Sequence, residues 1–593
     1  MLGGESNTRA RLTECSLLYI GKLDNTLTLL MINLKCLLLD RASLSMAQVP
    51  ANKFRVLLVY PNLTMMLVPS IAIAIFTSTL RKSGYVVDLF DTTHYVVPEN
   101  SSPQNRVKFL QAREFDEKND LGVRFKTDLA GDYKRKVEAF SPNLIVYSVV
   151  EDCFRQCLTL MEAIKDLDIP HIVGGVFPTA APQVCIENDL INVIGIGEGE
   201  SILPAFAEAV RLERDLDSIP GTWVKSQGAI QKNPRPPLVD IETYIPDFSL
   251  FDSARFNRPM GGKIFRTIPV ESFRGCPYQC TYCNSPMQVQ RAKSADLGSF
   301  LRRKSMPVLR DEINSLVEKY EPEFLYFIDD SFTARPKKEI DAFCEMYEEF
   351  QIPFWFNTRP EATDLEMLKK LREVGAYRMS LGIESGNEEF RQKILRRRGS
   401  NEALTAAFDI AHKSEIPFSL NLIIGMPGET RGRIFDTVEF VRTLAGYDTI
   451  TVSIFTPYHG TVLREVAVKN GWLPQDYITK HTTSSSALKM PPPYVSPRDI
   501  DGLMRVLPLY IYFPKEEWPE IRKAEAQTPE GDKVLAYYSR IYRTEFLKED
   551  QFQSKGLTVN GSTGCRTNEK DSFVVPGLDK PAMKESELSI LTM

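Results

Sequence analysis

Cys276, Cys280 and Cys283 lie within eight residues of one another, in the stretch Arg274-Gly-Cys-Pro-Tyr-Gln-Cys-Thr-Tyr-Cys-Asn. Three residues, then two, separate the thiols. A structural zinc site takes four ligands, commonly as two separated Cys-x-x-Cys pairs. A [4Fe–4S] cube takes one thiolate per iron. Three thiolates on a cube leave one iron open, and an open iron can bind and activate a small molecule. The alternatives are three ordinary buried cysteines, or a zinc loop that borrows a distant fourth ligand. The compact spacing favours neither.

This loop resembles that of the radical S-adenosylmethionine (SAM) superfamily, and Tyr282 just before the third cysteine fits the same pattern. The resemblance implies that the free iron chelates the amino and carboxylate groups of SAM. It also implies a reducing compartment, so the expected location is cytoplasmic.

Composition sets bounds on the rest. The 593 residues suggest three or four domains. At 43% hydrophobic and 25% charged, the chain is ordinary for a globular protein with several cores. A net charge of −5 without a basic block gives no sign of nucleic acid as a partner. Five histidines make a histidine metal centre a poor expectation, and ten cysteines do not make a disulfide scaffold. The apolar run 27–39 contains Asn33 and Lys35, and the run 65–76 contains Pro69 and Ser70. Both are too short to span a membrane. The N-terminus lacks the order of a secretory signal.

Short apolar runs alternate with amphipathic stretches over 54–215. Strands are expected at 54–60, 85–91, 143–150, 171–175 and 192–197, with helices at 153–165 and 201–211 among those between them. That alternation predicts a parallel, doubly wound α/β sheet, which binds ligands at the carboxyl ends of its strands. The loops there contain Asn62, Ser148, the run Gly174-Gly175-Val-Phe177-Pro178-Thr179, and Gly197-Glu198-Gly-Glu. Together they resemble the Rossmann-like cobalamin-binding domain found ahead of many radical SAM cores. The resemblance implies that Asn62, Ser148, Gly174, Gly175, Phe177, Pro178, Thr179, Gly197 and Glu198 hold cobalamin. The Asp-x-His-x-x-Gly motif of one cobalamin group is absent. His94 follows Asp91 by three residues but lacks the glycine, so the cobalt is not expected to take a histidine from this domain.

The alternation resumes at 267, with strands expected at 267–273, 324–328, 353–357, 377–383, 418–424 and 449–455. Six such units predict a partial (β/α)6 TIM-like barrel, in which chemistry gathers at the strands' carboxyl ends. The polar clusters follow that rule: the cysteine loop, Asp329-Asp330, Asn357-Thr-Arg359, Glu384-Ser385-Gly386, Gly425-Met-Pro-Gly-Glu-Thr430, and Thr456-Pro-Tyr-His-Gly-Thr461. By resemblance, Glu384, Ser385 and Gly386 touch the SAM ribose and amino group. Asn421, Gly425 and the backbone of Tyr282 flank the adenine. One of Arg396, Arg397 and Arg398 could pair with the SAM carboxylate, or the run is a solvated face. Asp329 and Asp330 either line the substrate cavity or end a strand, and no catalytic role is assigned to them. Cys153 and Cys157 share a helical face and read as packing.

The expected organisation is an extension of unclear role at 1–50, a cobalamin domain at 51–215, a linker at 216–262 strapped over the sheet, and the radical SAM core at 263–480. A helical cap at 481–550 and a disordered tail at 551–593 complete it. The arrangement resembles the cobalamin-dependent radical SAM family. That implies a methyltransferase acting on an unactivated carbon or phosphorus centre through a 5′-deoxyadenosyl radical. The alternatives are a cobalamin-dependent oxidoreductase or cyclase without methyl transfer, and a non-enzymatic cluster or corrinoid sensor. The expected partners are a small-molecule, lipid or peptide substrate and an electron donor such as flavodoxin or ferredoxin, with no nucleic acid and no membrane span.

Overall fold

The computed structural model describes residues 49–64, 68–96, 104–480 and 485–548. The chain divides into two compact units, Met1–Pro50 and Ala51–Met593, and every element named below belongs to the second. The extension and tail expected at the two ends lie outside the described residues, apart from 49–50.

The first sheet has seven strands in the order β2-β1-β3-β4-β5-β6-β7. β1 (Arg55–Tyr60), β2 (Val86–Asp91), β3 (Leu144–Ser148), β4 (His171–Gly174) and β5 (Val193–Gly195) run parallel. These strands are covered on both faces, so they read as unbroken apolar runs rather than alternating ones. Leu57, Leu58, Val59, Leu144 and Ile145 have no exposed surface. Helices Ile71–Lys82, Leu129–Phe140, Phe154–Ala163 and Gly199–Arg211 make the crossovers. Cys153 and Cys157 are buried in this core, as packing predicts. The strand order reverses between β1 and β3, which is where such sheets open a crevice for ligands.

Residues 216–262 differ from the strap expected over the sheet. β6 (Thr222–Ser226) and β7 (Ala229–Lys232) form an antiparallel hairpin that extends the sheet beyond β5. β5 is only three residues long and would otherwise leave unpaired backbone at an edge. The same segment ends in β8 (Asn257–Met260), which joins the second sheet.

The second sheet runs β16-β15-β14-β13-β12-β9-β8. β9 (Lys263–Val270), β12 (Phe324–Phe327), β13 (Phe354–Thr358), β14 (Ala376–Glu384), β15 (Phe418–Ile424) and β16 (Tyr447–Ile454) are parallel. β8 and β16 end the sheet without pairing to each other, so it is open. A small antiparallel pair, β10 (Phe273–Arg274) and β11 (Arg302–Arg303), stands apart. The outer face is aromatic: Phe327, Phe332, Phe343 and Phe354 lie edge-to-face or tilted at 5.1–6.3 Å between centroids. The inner face is polar and carries Asn357, Ser380, Ser419 and Asn421 in paired registers.

β9 stops at Val270, three residues before the end read from sequence. The cause is Asp329, at the end of β12. Its carboxylate accepts from the backbone N–H of Ser272 (2.8 Å) and Phe273 (3.0 Å), and Arg335 closes the other side at 2.7 Å. The chain therefore turns out of the sheet before the cysteines begin.

The C-terminal helices Pro497–Tyr512, Trp518–Lys523 and Pro529–Tyr542 pack beside β16 and helix Arg431–Arg442. A Ser496/Asp499 capping box starts the first of them. At its end Arg442 donates to the carbonyls of Tyr510, Ile511 and Phe513, which satisfies terminal acceptors. Tyr510, Tyr538 and Tyr542 are buried, as core aromatics should be. Among the described residues no helix is long and apolar enough to cross a membrane.

The loop after β15 depends on Glu429. Its buried carboxylate accepts from Gly425 N (2.6 Å) and Met426 N (3.1 Å), yet burial pushes its pKa from 4.5 up to about 8. A carboxyl whose pKa rises on folding stabilises the fold below its unfolded value and loses that stability as pH climbs through the folded value. Between pH 4.5 and about 8 this group costs up to about 1.4 kcal/mol per pH unit. Glu429→Gln keeps an acceptor and removes the titration. Thermal melts across that range should show a flatter pH dependence for the variant and a higher Tm than the parent above pH 8.

Candidate functional site

Cys276, Cys280 and Cys283 sit just past β10, on the carboxyl side of β9. Cys280 is buried and the other two are half-buried. Burial raises the Cys276 thiol to about 11 and the Cys283 thiol to about 12; Cys280 contributes to both, and Cys276 to Cys283. The three thiols therefore share one small region. Among the described residues, no three His, Cys, Asp or Glu side chains converge as the ligands of a single ion do.

The surroundings suit thiolates that each meet a different iron. Arg359 brings its guanidinium to 3.8 Å from Cys280 Sγ, and it lies over the Tyr278 ring at 3.8 Å. The N–H of Ser285 points at Cys283 Sγ at 3.5 Å. Cations and backbone donors lower a thiol's pKa and so offset burial. Helix Ser285–Ser294 follows directly. Thr281 ties the loop to the turn after β14, where its hydroxyl donates to Ile394 O at 2.7 Å.

Glu384 ends β14 with φ +66°, in the left-handed region. A non-glycine residue held there is strained, and such strain gathers at functional sites. Its carboxylate meets Arg397 at 3.0 Å. Arg397 also donates to Tyr282 OH (3.0 Å) and to Gly382 O (2.6 Å), and it lies 3.7 Å from Glu361. Glu361 in turn pairs with Arg359 at 3.0 Å. One network thus runs from Cys280 through Arg359, Glu361 and Arg397 to Glu384 and Tyr282. Burial raises the Glu384 pKa, with Arg397 opposing it. The Arg397 guanidinium is held well above its ordinary value by Tyr282, Glu384 and Glu361, despite burial.

The run of three arginines is thereby resolved. Arg397 is buried while Arg396 and Arg398 are exposed. Sequence alone could not choose among them, because the turn after β14 is not periodic. Of the trio Glu384, Ser385 and Gly386, only Glu384 turns inward. Ser385 is buried, its hydroxyl 3.4 Å from Thr437. A Cβ on Gly386 would come within 2.7 Å of Phe440 and Thr437, so this glycine serves packing against helix Arg431–Arg442. Asn421 lies on the inner face beside Gly382 and Thr451. Gly425, with φ +79°, lies in the loop held by Glu429.

The other loop cluster lies at the carboxyl edge of the first sheet. Asn62 donates to Thr93 Oγ1 at 2.8 Å, which links the loops after β1 and β2. Ser148 ends β3. Gly174 ends β4, and Gly175 has φ +113°, where a Cβ would strike the Val149 backbone within 2.8 Å. Only glycine fits there. Thr179 accepts from Gly197 N at 3.0 Å and joins the loops after β4 and β5. Pro178 is buried beside it, and Phe177 packs edge-on to Phe154 at 4.9 Å. Val150 and Val176 remain 41% and 40% exposed on these loops. Exposed apolar side chains beside close-approach glycines suit a flat apolar ring.

Glu198 is held by ion pairs. It binds Arg274 (2.9 Å), Arg302 (2.9 Å) and the N–H of Val239 (2.9 Å). Arg274 stands two residues before Cys276, so Glu198 couples the first sheet to the cysteine loop. Glu151, after β3, makes a second coupling that sequence reading missed. It accepts from His459 N (2.9 Å) and Thr479 N (2.8 Å), and its carboxylate lies 2.8 Å from His459 Nδ1. Tyr458 donates to Asp152 at 2.8 Å. A Glu-Asp pair and a Tyr-His pair 306 residues apart in the chain give no local signal.

The family model for the radical SAM superfamily matches residues 270–441. An uncharacterized methyltransferase of Pyrococcus horikoshii is 26% identical over 365 residues, which cover 60% of this chain and 76% of that protein. Two further relatives are matched over 46% and 49% of their own length. Among solved structures, the radical SAM methyltransferase TsrM from Kitasatospora setae, with cobalamin and a [4Fe–4S] cluster bound, is similar at TM-score 0.51. It is 18% identical, with 70% of this chain and 75% of that one covered. OxsB, a cobalamin-dependent SAM radical enzyme with aqua-cobalamin and SAM bound, is similar at TM-score 0.56. It is 15% identical, with 84% and 76% covered. The α/β fold with a curled, open second sheet is theirs. Residues 270–441 thus match the radical SAM superfamily model, and the chain shares the fold of these two cobalamin-dependent enzymes.

Proposed function

We propose that the chain is a cobalamin-dependent radical SAM methyltransferase acting on an unactivated carbon or phosphorus centre. The observation that carries this reading is the network joining Cys280, Arg359, Glu361, Arg397 and Glu384. It ties a three-thiol loop to an inward carboxylate across the strand ends. The methyltransferase named above and the cobalamin and cluster bound in TsrM support it.

Cys276, Cys280 and Cys283 would hold a [4Fe–4S] cluster, and the loops bearing Asn62, Ser148, Gly174, Gly175, Phe177, Pro178, Thr179, Gly197 and Glu198 would hold cobalamin. Bound there, the cluster with SAM supplies a 5′-deoxyadenosyl radical and cobalamin supplies a methyl group. The remaining work belongs to the chain. Arg359 places a cation beside the Cys280 sulfur. Glu384 accepts from ribose hydroxyls, and Arg397 aims it and opposes the rise in its pKa that burial causes. Asn421 and the loop at Gly425 border the adenine. Ser385 and Gly386 act by packing the end of β14 onto its helix. Glu198 and Glu151 hold the two loop clusters face to face and keep water from the space between them. In finer terms, the first sheet is the Rossmann-like cobalamin domain and the second is a partial (β/α)6 barrel.

Anaerobically reconstituted protein should contain about four irons and one cobalt per chain. With SAM and dithionite it should release 5′-deoxyadenosine, and with substrate also S-adenosylhomocysteine. Cys276→Ser, Cys280→Ser and Cys283→Ser should each reduce 5′-deoxyadenosine to background. Release of 5′-deoxyadenosine alone, with every substrate tried, would point to radical chemistry without methyl transfer.

Arg397 and Glu384 should not be equivalent. Glu384→Gln leaves Arg397 paired to Glu361, so it should raise the SAM Kd by about tenfold and change Tm little. Arg397→Gln strands Glu384 as a buried charge, which costs about 3–5 kcal/mol. Its Tm should fall well below that of Glu384→Gln in parallel melts.

A further inference from the structure

Inside the curled second sheet stands a cation that meets no anion. Arg258, on β8, places its guanidinium 4.7 Å from the centre of the Trp355 ring and 5.1 Å from that of Tyr326. The two rings are stacked on each other, with centroids 4.2 Å apart and planes 12° apart. They are direct neighbours on β12 and β13. Both are fixed: Asn357 Nδ2 donates to Tyr326 OH at 2.8 Å, and Trp355 Nε1 donates to Ser380 Oγ at 3.0 Å. The arginine therefore lies on a rigid aromatic plate.

Among the described residues no carboxylate pairs with Arg258. The charged neighbour it feels is a second arginine, Arg106, from helix Gln104–Lys108. Surrounding protein pulls the Arg258 pKa down to about 10 and lowers that of Arg106. Arg258 remains charged at neutral pH. Yet Arg258 is only half-buried and Arg106 keeps exposed surface. Groups desolvated by protein on most sides but still open are the walls of a concavity. A desolvated, unpaired cation costs stability, and the ring contacts offset only part of that cost. A planar guanidinium on an aromatic wall matches a carboxylate or phosphate in geometry.

We propose that Arg258, on the Tyr326–Trp355 plate and assisted by Arg106, binds an anionic group of the substrate, a carboxylate or a phosphate. This rests on the proposed function and narrows its substrate class to acidic molecules. Tyr326 stands four residues before Asp330, and Trp355 four before Arg359, which reaches Cys280. At about 3.3 Å per residue the plate lies roughly 13 Å along the chain from Asp330 and Arg359, at the strand ends. A substrate anchored at Arg258 and reacting at the strand ends must be elongated.

The test is titration of the full-length protein, without SAM, with benzoate, phenyl phosphate and neutral benzamide, read by tryptophan fluorescence. The chain has four tryptophans, so Trp355→Phe identifies the responding one. One or both anions should quench saturably and benzamide should not, and the tighter anion names the substrate's acidic group. Arg258→Gln should weaken the anion by about tenfold or more, and Arg106→Gln by less. If Arg258→Gln does not fold by circular dichroism, Arg258→Lys, which keeps the charge but not the planar fork, should weaken benzoate several-fold. Equal binding of benzamide, no saturable quenching by either anion, or anion affinity unchanged in the Arg258 variant would overturn the assignment. None of these readings involves SAM cleavage, so failure here leaves the proposed function standing, and 5′-deoxyadenosine release tests that function separately.

Discussion

Asp329 fixes where the chemistry can happen. Its buried carboxylate takes two backbone N–H groups from the turn after β9 and a guanidinium from Arg335. A carboxylate with every oxygen engaged is costly to displace once it is dry. It ends β9 at one level and releases the cysteine loop in one direction. Burial pushes its pKa up, and Arg335 and the donors of Ser272 and Phe273 oppose that push. The loop's thiols, the Arg359 guanidinium and the Glu384 carboxylate are then set by parallel register, because each follows its own strand at the same end of one sheet.

The second constraint is the pairing of the two loop clusters. Glu198 belongs to the first sheet but binds Arg274 and Arg302 beside the cysteine loop. Glu151 belongs to the first sheet but binds the loop after β16. The Glu151 carboxylate is buried and takes its donors from the loops after β16, so separating the sheets would leave it unpaired. These contacts tie the two loop clusters to each other.

Much of this was legible in the residues. Unbroken apolar strands alternating with helices gave the parallel sheets, and the thiol spacing marked the loop after β9. What stayed hidden was long-range and electrostatic. No local pattern distinguishes Arg397 from Arg396 and Arg398, since burial alone separates them. Gly386 reads as a ligand-approach glycine but packs against Phe440. Glu198 sits in a glycine-rich loop and reads as a ligand contact, and its two arginine partners, more than seventy residues away, leave no local signal. The segment 216–262 reads as a strap over the sheet, while the addition of its hairpin to the sheet edge leaves no local signal, because edge completion depends on how short β5 is.

The central claim is that three thiolates hold a cubane cluster with one iron left for SAM. The most direct measurement is electron paramagnetic resonance of the anaerobically reconstituted, dithionite-reduced protein, before and after addition of SAM. The account predicts a reduced [4Fe–4S] signal whose g-values shift when SAM binds the open iron. A signal that SAM leaves unchanged, or a protein that carries zinc and no iron in this loop, would contradict it.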